Sequence, residues 1–232
     1  MNRRNFVIVT IGIIILAASG CGGGGGGSGR YTLATDVTGS GTGTGGGGGT
    51  GTTTTETNPD SLLLSGWEDF KYGAYSSAIS KFNQVLTISS ITDSQKSDAY
   101  NGVGWSLAKS SGVESGYSSF AQAASLQNES KVGLAAALIQ RGQRSAFATA
   151  IQNLEAIGLG NTAYTFTETH PIGVSNAEAH AMLALCYFWR NASGDTDKAR
   201  SQINAARSLD SSSDSSVAQI YATLKALGLT GI

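Results

Sequence analysis

Residues 60–86 read DSLLLSGWEDFKYGAYSSAISKFNQVL, and residues 98–124 read DAYNGVGWSLAKSSGVESGYSSFAQAA. Laid over one another at an offset of 38, they share Asp60/Asp98, Gly66/Gly104, Trp67/Trp105, Lys71/Lys109, Ser77/Ser115, Ser80/Ser118, Phe82/Phe120 and Gln84/Gln122. Eight identities over 27 positions stand against about two expected by chance for this composition, so the chain repeats itself. Within the first copy a helical pattern runs from Leu62 to Tyr72, stops at Gly73 and resumes from Tyr75 to Leu86. Ala78, Ile79, Phe82 and Leu86 in the second stretch are spaced i, i+1, i+4 and i+8, which puts them on one helix face. The unit is a helical hairpin, and the fold class is all-α.

The series Gly66, Gly73-Ala74-Tyr75, Ala78-Ile79, Phe82 and Val85-Leu86 resembles a tetratricopeptide repeat, and Gly104, Gly116, Phe120 and Ala123 repeat it. The second unit is four residues longer than the usual 34 of that family. The resemblance implies a solenoid of about four hairpins over residues 58–232, with units near 58–90, 92–127, 129–158 and 175–210. A helix at 214–227 would cap its open end, as repeat arrays require. Boundary residues agree. Asn58-Pro59-Asp60 supplies an N-cap, a proline in the first turn and an early acid. Thr92 with Gln95 and Ser175 with Glu178 have capping-box spacing. The third pair is expected over Ser130–Arg141 and Ser145–Ile157, the fourth over Ser175–Asn191 and Asp195–Ser208. Between them Gly158–Val174 forms a 17-residue connection, long for a helix-to-helix link and rich in rings.

In the tetratricopeptide family the first helix of each pair lines the inner groove. Counting from Gly66 and Gly104 puts Trp67, Phe70 and Lys71 there, then Asn101, Trp105 and Lys109 in the next unit. Such an aromatic and basic surface suits an extended peptide whose side chains meet the rings and whose carboxylates meet the lysines. Packing of both tryptophans between helices is the alternative. The 158–174 connection, with Tyr164, Phe166 and His170, is the second candidate site.

N-terminal to the repeats the composition changes twice. Arg3 and Arg4 precede an apolar run from Phe6 to Ala18, too short for the roughly 20 residues of a spanning helix and suited to a cleaved export signal over 1–20. Ala18-Ser19-Gly20-Cys21 resembles the lipobox of bacterial lipoproteins, although Ala18 stands where that family most often has leucine. The resemblance implies lipidation at Cys21 and a place in the cell envelope on a membrane, the outer one where the host has two. Residues 22–57 hold 16 of the 32 glycines and few apolar groups, so the segment 21–57 reads as a disordered tether reaching about 30 to 35 Å.

Function classes are then excluded by charge and spacing. Fifteen Lys and Arg against sixteen Asp and Glu, with a pI near 6.1, lack the basic footprint of a nucleic-acid binder. Two cysteines, 21 and 186, allow neither a disulfide scaffold nor a four-cysteine zinc site. His170 and His180 have no partner at metal-ligand spacing, and Cys186 lies on another side of its helix from His180. No G-x-S-x-G elbow or P-loop occurs. The expectation is therefore no enzyme and no cofactor, but a membrane-anchored module with a protein or peptide partner. Alternatives are a structural subunit of an envelope assembly and, less fitting, glycan capture.

Overall fold

The computed structural model describes residues 58–232; the 1–20 leader, Cys21 and the 21–57 segment lie outside the described residues. The helices are α1 (Pro59–Lys71), α2 (Tyr75–Thr87), α3 (Asp93–Ser111), α4 (Tyr117–Ala123), α5 (Asn128–Arg141), α6 (Arg144–Ala156), α7 (Asn176–Arg190), α8 (Asp195–Leu209) and α9 (Ser216–Ala226). A short 3-10 turn, Val113–Gly116, joins α3 to α4. Among the described residues every regular element is helical. Neighbours pack in pairs, α1 with α2, α3 with α4, α5 with α6 and α7 with α8, while α9 closes on α7 and α8. The first helices of successive pairs also touch, α1 to α3, α3 to α5 and α5 to α7.

Capping chemistry sets most of the boundaries. Asn58 accepts the Asp60 N–H at 2.9 Å with Pro59 in the first turn. Thr92 with Gln95 and Ser175 with Glu178 close reciprocal capping boxes at the starts of α3 and α7. Beyond a one-residue shift at α6, which begins at Arg144, two starts differ from the sequence reading. Asp214 accepts from the Ser212 hydroxyl, so Ser215 becomes the N-cap of α9 through the Ala218 N–H. Helix α5 begins at Asn128, which brings Glu129 and Ser130 into its first turn.

Packing of the first two pairs turns on two phenylalanines. Phe82 of α2 is fully buried against Gly66 of α1 and Gly102 of α3. Phe120 of α4 is equally buried against Gly104 of α3 and Gly133 of α5. A Cβ at Gly66, Gly104 or Gly133 would stand 2.7, 2.6 or 2.5 Å from a ring carbon, and Gly102 is as tight. Trp67 meets Phe82 edge-on with centroids 5.1 Å apart at 64°, and Trp105 meets Phe120 at 5.1 Å and 66°. The sequence repeat is thus also a repeat of contact geometry. The extra length of the second unit lies in α3, 19 residues against 13 in α1; in the 3-10 turn that follows, Gly116 comes against the Gly104 carbonyl.

These contacts make alanine harmful where helix propensity favours it. Gly102→Ala and Gly104→Ala gain about 1 kcal/mol of propensity, yet each forces a methyl into a ring edge at a cost of about 1 to 3 kcal/mol or more. Urea denaturation of the whole chain should show a lower midpoint with an unchanged slope for both. A rise in stability at either position would contradict the packing.

Candidate functional site

The connection from α6 to α7 does not hang in solvent. Its path can be followed through the bonds made to its main chain. Gln202 of α8 donates to the Leu159 carbonyl at 2.7 Å. His180 of α7 lies 3.0 Å from the Tyr164 carbonyl through Nε2 and 2.6 Å from Gln202 through Nδ1. The Phe166 N–H donates to Asn176 at the start of α7 at 2.7 Å. Farther on, the Thr169 and His170 N–H groups both donate to Glu129 Oε1 of α5 at 2.6 Å. The Val174 N–H closes the segment by donating to its own Glu168. Leu159, Phe166, Ile172 and Val174 are buried beneath it. Irregular backbone is thereby bonded by side chains in place of a sheet, as buried main-chain groups must be.

His170 is where the segment meets the first two pairs. Its ring stacks on Trp67 of α1, with centroids 3.8 Å apart and planes 7° from parallel. Nδ1 lies 2.8 Å from Glu129 Oε2 and Nε2 lies 3.6 Å from Asp98 Oδ1 of α3. The same Asp98 oxygen accepts the Trp67 indole N–H at 3.0 Å. Asn101 of α3 donates to Glu129 Oε2 at 2.7 Å and accepts from the Ser130 hydroxyl at 2.6 Å. Three helices and the segment therefore converge on one imidazole.

Burial pushes the Asp98 carboxyl above its ordinary range, against the opposing His170 charge and indole bond, and the Glu129 charge adds to the rise. Burial would raise Glu129 too, but the His170 ring, the backbone N–H groups and Asn101 outweigh it and its carboxyl sits below the usual range. Burial lifts Glu168 and depresses the Lys109 ammonium, each partly opposed by the other's charge. Lys109 Nζ lies beside Gly173 of the segment.

The candidates read from the sequence divide accordingly. Trp67, Phe70, Asn101 and Trp105 are buried, Lys109 is half-buried and Lys71 is exposed, its ammonium 5.7 Å from the Tyr72 ring. The ring neighbours of Trp67 are Phe70, Phe82 and His170, and that of Trp105 is Phe120. Of the second candidate, Tyr164 lies over Gly158, Phe166 is buried and His170 reaches Trp67. The two candidates meet where Trp67 stacks on His170 and where Asn101 and His170 share Glu129. Sequence reasoning missed Asp98, Glu129, Asn176 and Gln202. Asp98 and Glu129 carry a signal nonetheless, since each stands four residues before a glycine, Gly102 and Gly133, that abuts a repeat phenylalanine. Cys186 is fully buried, and burial drives its thiol far above the reactive range. Among the described residues no group of three or more His, Cys, Asp or Glu is placed to hold a metal ion.

Glu129 makes the anchorage pH-dependent with a definite sign. Its carboxyl is depressed in the folded chain, so its contribution is complete above its ordinary value near 4.5 and is lost as pH falls through the lower folded value. Glu129→Gln should cost about 2 to 3 kcal/mol at pH 7, and its difference from the unaltered chain should shrink in acid. Paired denaturation curves at pH 7 and pH 3.5 check this. A difference that grows in acid would give the opposite sign.

Compared with models of protein families, with curated protein sequences and with solved structures, the chain gives no match in any of the three.

Proposed function

We propose that this chain is a tetratricopeptide-like repeat module, held at a cell envelope membrane by a lipid on Cys21, whose first-helix surface binds an extended segment of a partner protein. The observation that carries the reading is the capture of residues 158–174. On that surface Glu129, Asn176 and His180, joined by Gln202 of the neighbouring α8, bond the main chain of a non-helical segment, while Trp67 stacks on its His170 ring. Main-chain capture combined with a pocket for a side chain is the way extended peptides are recognised. The repeated Gly–Phe wedge supports the solenoid part of the reading, because it sets successive first helices side by side. The lipid anchor rests on Ala18-Ser19-Gly20-Cys21 and the leader before it.

Both halves of the proposal have direct tests. Mass spectrometry of the mature N-terminus should find Cys21 first and acylated; a chain beginning elsewhere, or a bare thiol, removes the anchor. For the groove, a photo-crosslinking residue is placed in cells at Lys71 or Lys109 on the first helices, and at Asn83 or Gln122 on the second helices. Discrete protein adducts should come from the first pair of positions. Adducts from neither pair, or equal adducts from both, would remove the interaction surface.

A further inference from the structure

We propose that Trp67, Asp98, Asn101 and Glu129 form a receptor pocket for a planar cationic side chain, arginine or histidine, on an extended partner peptide, and that residues 158–174 fill it in cis. The inference rests on the interaction reading and names the ligand chemistry of that surface. The walls are a flat indole face and two carboxylates, with Glu129 only 3% exposed and Asn101 fully buried. Among the described residues the ion pairs of Asp98 and Glu129 are both with His170, so the helices themselves bring negative charge with no cation to balance it. Lys109 of α3 lies instead beside Gly173, within reach of the charges of Glu168 and Glu178. An indole face with a carboxylate on two edges is complementary in shape and charge to imidazolium or guanidinium, which stack and donate in one plane.

The occupant in cis already shows the mode of entry. Backbone N–H groups of Thr169 and His170 bond Glu129 Oε1 while the ring takes Oε2, so one carboxylate reads both main chain and side chain. Because the segment is joined to α6 and α7, it competes at high effective concentration. A partner peptide can enter only in the fraction of molecules whose segment has left, and its apparent affinity falls by that fraction. Partner binding and release of residues 158–174 are then one exchange.

The experiment uses the whole chain, unaltered and as His170→Ala, with His170→Gln as a second variant that fills more of the space. Probes are methylguanidinium, with tetramethylammonium as the non-planar cation of equal charge, and a labelled peptide of residues 165–173 carrying His, Arg or Ala at the position of His170. In the His170→Ala chain methylguanidinium should move the Trp67 indole N–H resonance saturably and tetramethylammonium should not. The His and Arg peptides should bind that chain at least tenfold more tightly than they bind the unaltered one, and the Ala peptide at least tenfold more weakly than either. In the unaltered chain methylguanidinium should speed amide exchange at Thr169 and His170, a measurement independent of whether either variant folds. No acceleration there, or a folded variant indifferent to both probes, overturns the pocket. Equal peptide affinity for both chains overturns the occupancy in cis. Failure here with groove crosslinks retained would leave the interaction surface standing without its cation pocket. Loss of the crosslinks with the pocket retained would do the reverse.

Discussion

The spacing between first helices is set by two phenylalanine rings that accept nothing larger than glycine opposite them. Phe82 holds α1 and α3 at one distance through Gly66 and Gly102, and Phe120 holds α3 and α5 through Gly104 and Gly133. A helix-interior glycine costs about 1 kcal/mol relative to alanine. Burying one phenylalanine contributes about 1.5 to 3 kcal/mol, so two glycines per ring are offset with little to spare. What the arrangement gains is register. Trp67, Asp98 and Glu129 come from three different helices and converge on one ring only because those helices lie this close.

Register alone does not hold an acid such as Glu129 out of water. A buried carboxylate is tolerated where donors surround it, and here they come from two sources. Asn101, itself oriented by Ser130, belongs to the helices; the other donors, the Thr169 and His170 amides and the imidazole, belong to the segment. The helices leave Glu129 short of partners, and the segment completes it. This is why Glu129 is depressed while Asp98, equally acidic and less well supplied, is raised. A peptide able to present the same donors could take the place of the segment, and one unable to do so would leave a buried charge unpaired.

The repeat, the helical hairpins and most helix starts were legible because each is local. Gly66 with Phe82 and Gly104 with Phe120 recur in the chain order they have in space, and Thr92 with Gln95 is a four-residue pattern. The connection at 158–174 was legible as an anomaly of length and ring content. Its destination was not. His170 is 103 residues from Trp67, 72 from Asp98 and 41 from Glu129, and no periodicity links a loop residue to acids on two other helices. Glu129 is hidden for a second reason: it lies just before Ser130, where the sequence pattern starts the helix, so it falls outside the expected element. Its burial and its bonds to the segment follow from tertiary packing alone.

The two tryptophans show what the anchor costs. Asp98 and Glu129 occupy matching places, four residues before Gly102 and Gly133, the glycines that receive the Phe82 and Phe120 rings from the following first helix. Trp67 and Trp105 match as well, and both meet their phenylalanine at 5.1 Å. By that correspondence Trp67 is to Asp98 as Trp105 is to Glu129. Yet Trp67 donates to Asp98, while the buried indole N–H of Trp105 finds no acceptor among the described residues. Glu129, the acid in the matching place, takes its donors from Asn101 and from the amides and ring of the segment. An unpaired buried donor costs about 1 to 3 kcal/mol, and the second unit bears that cost where the first does not. The match between the two units ends at this bond, and Glu129, which accepts from no indole among the described residues, is the acid that holds residues 158–174.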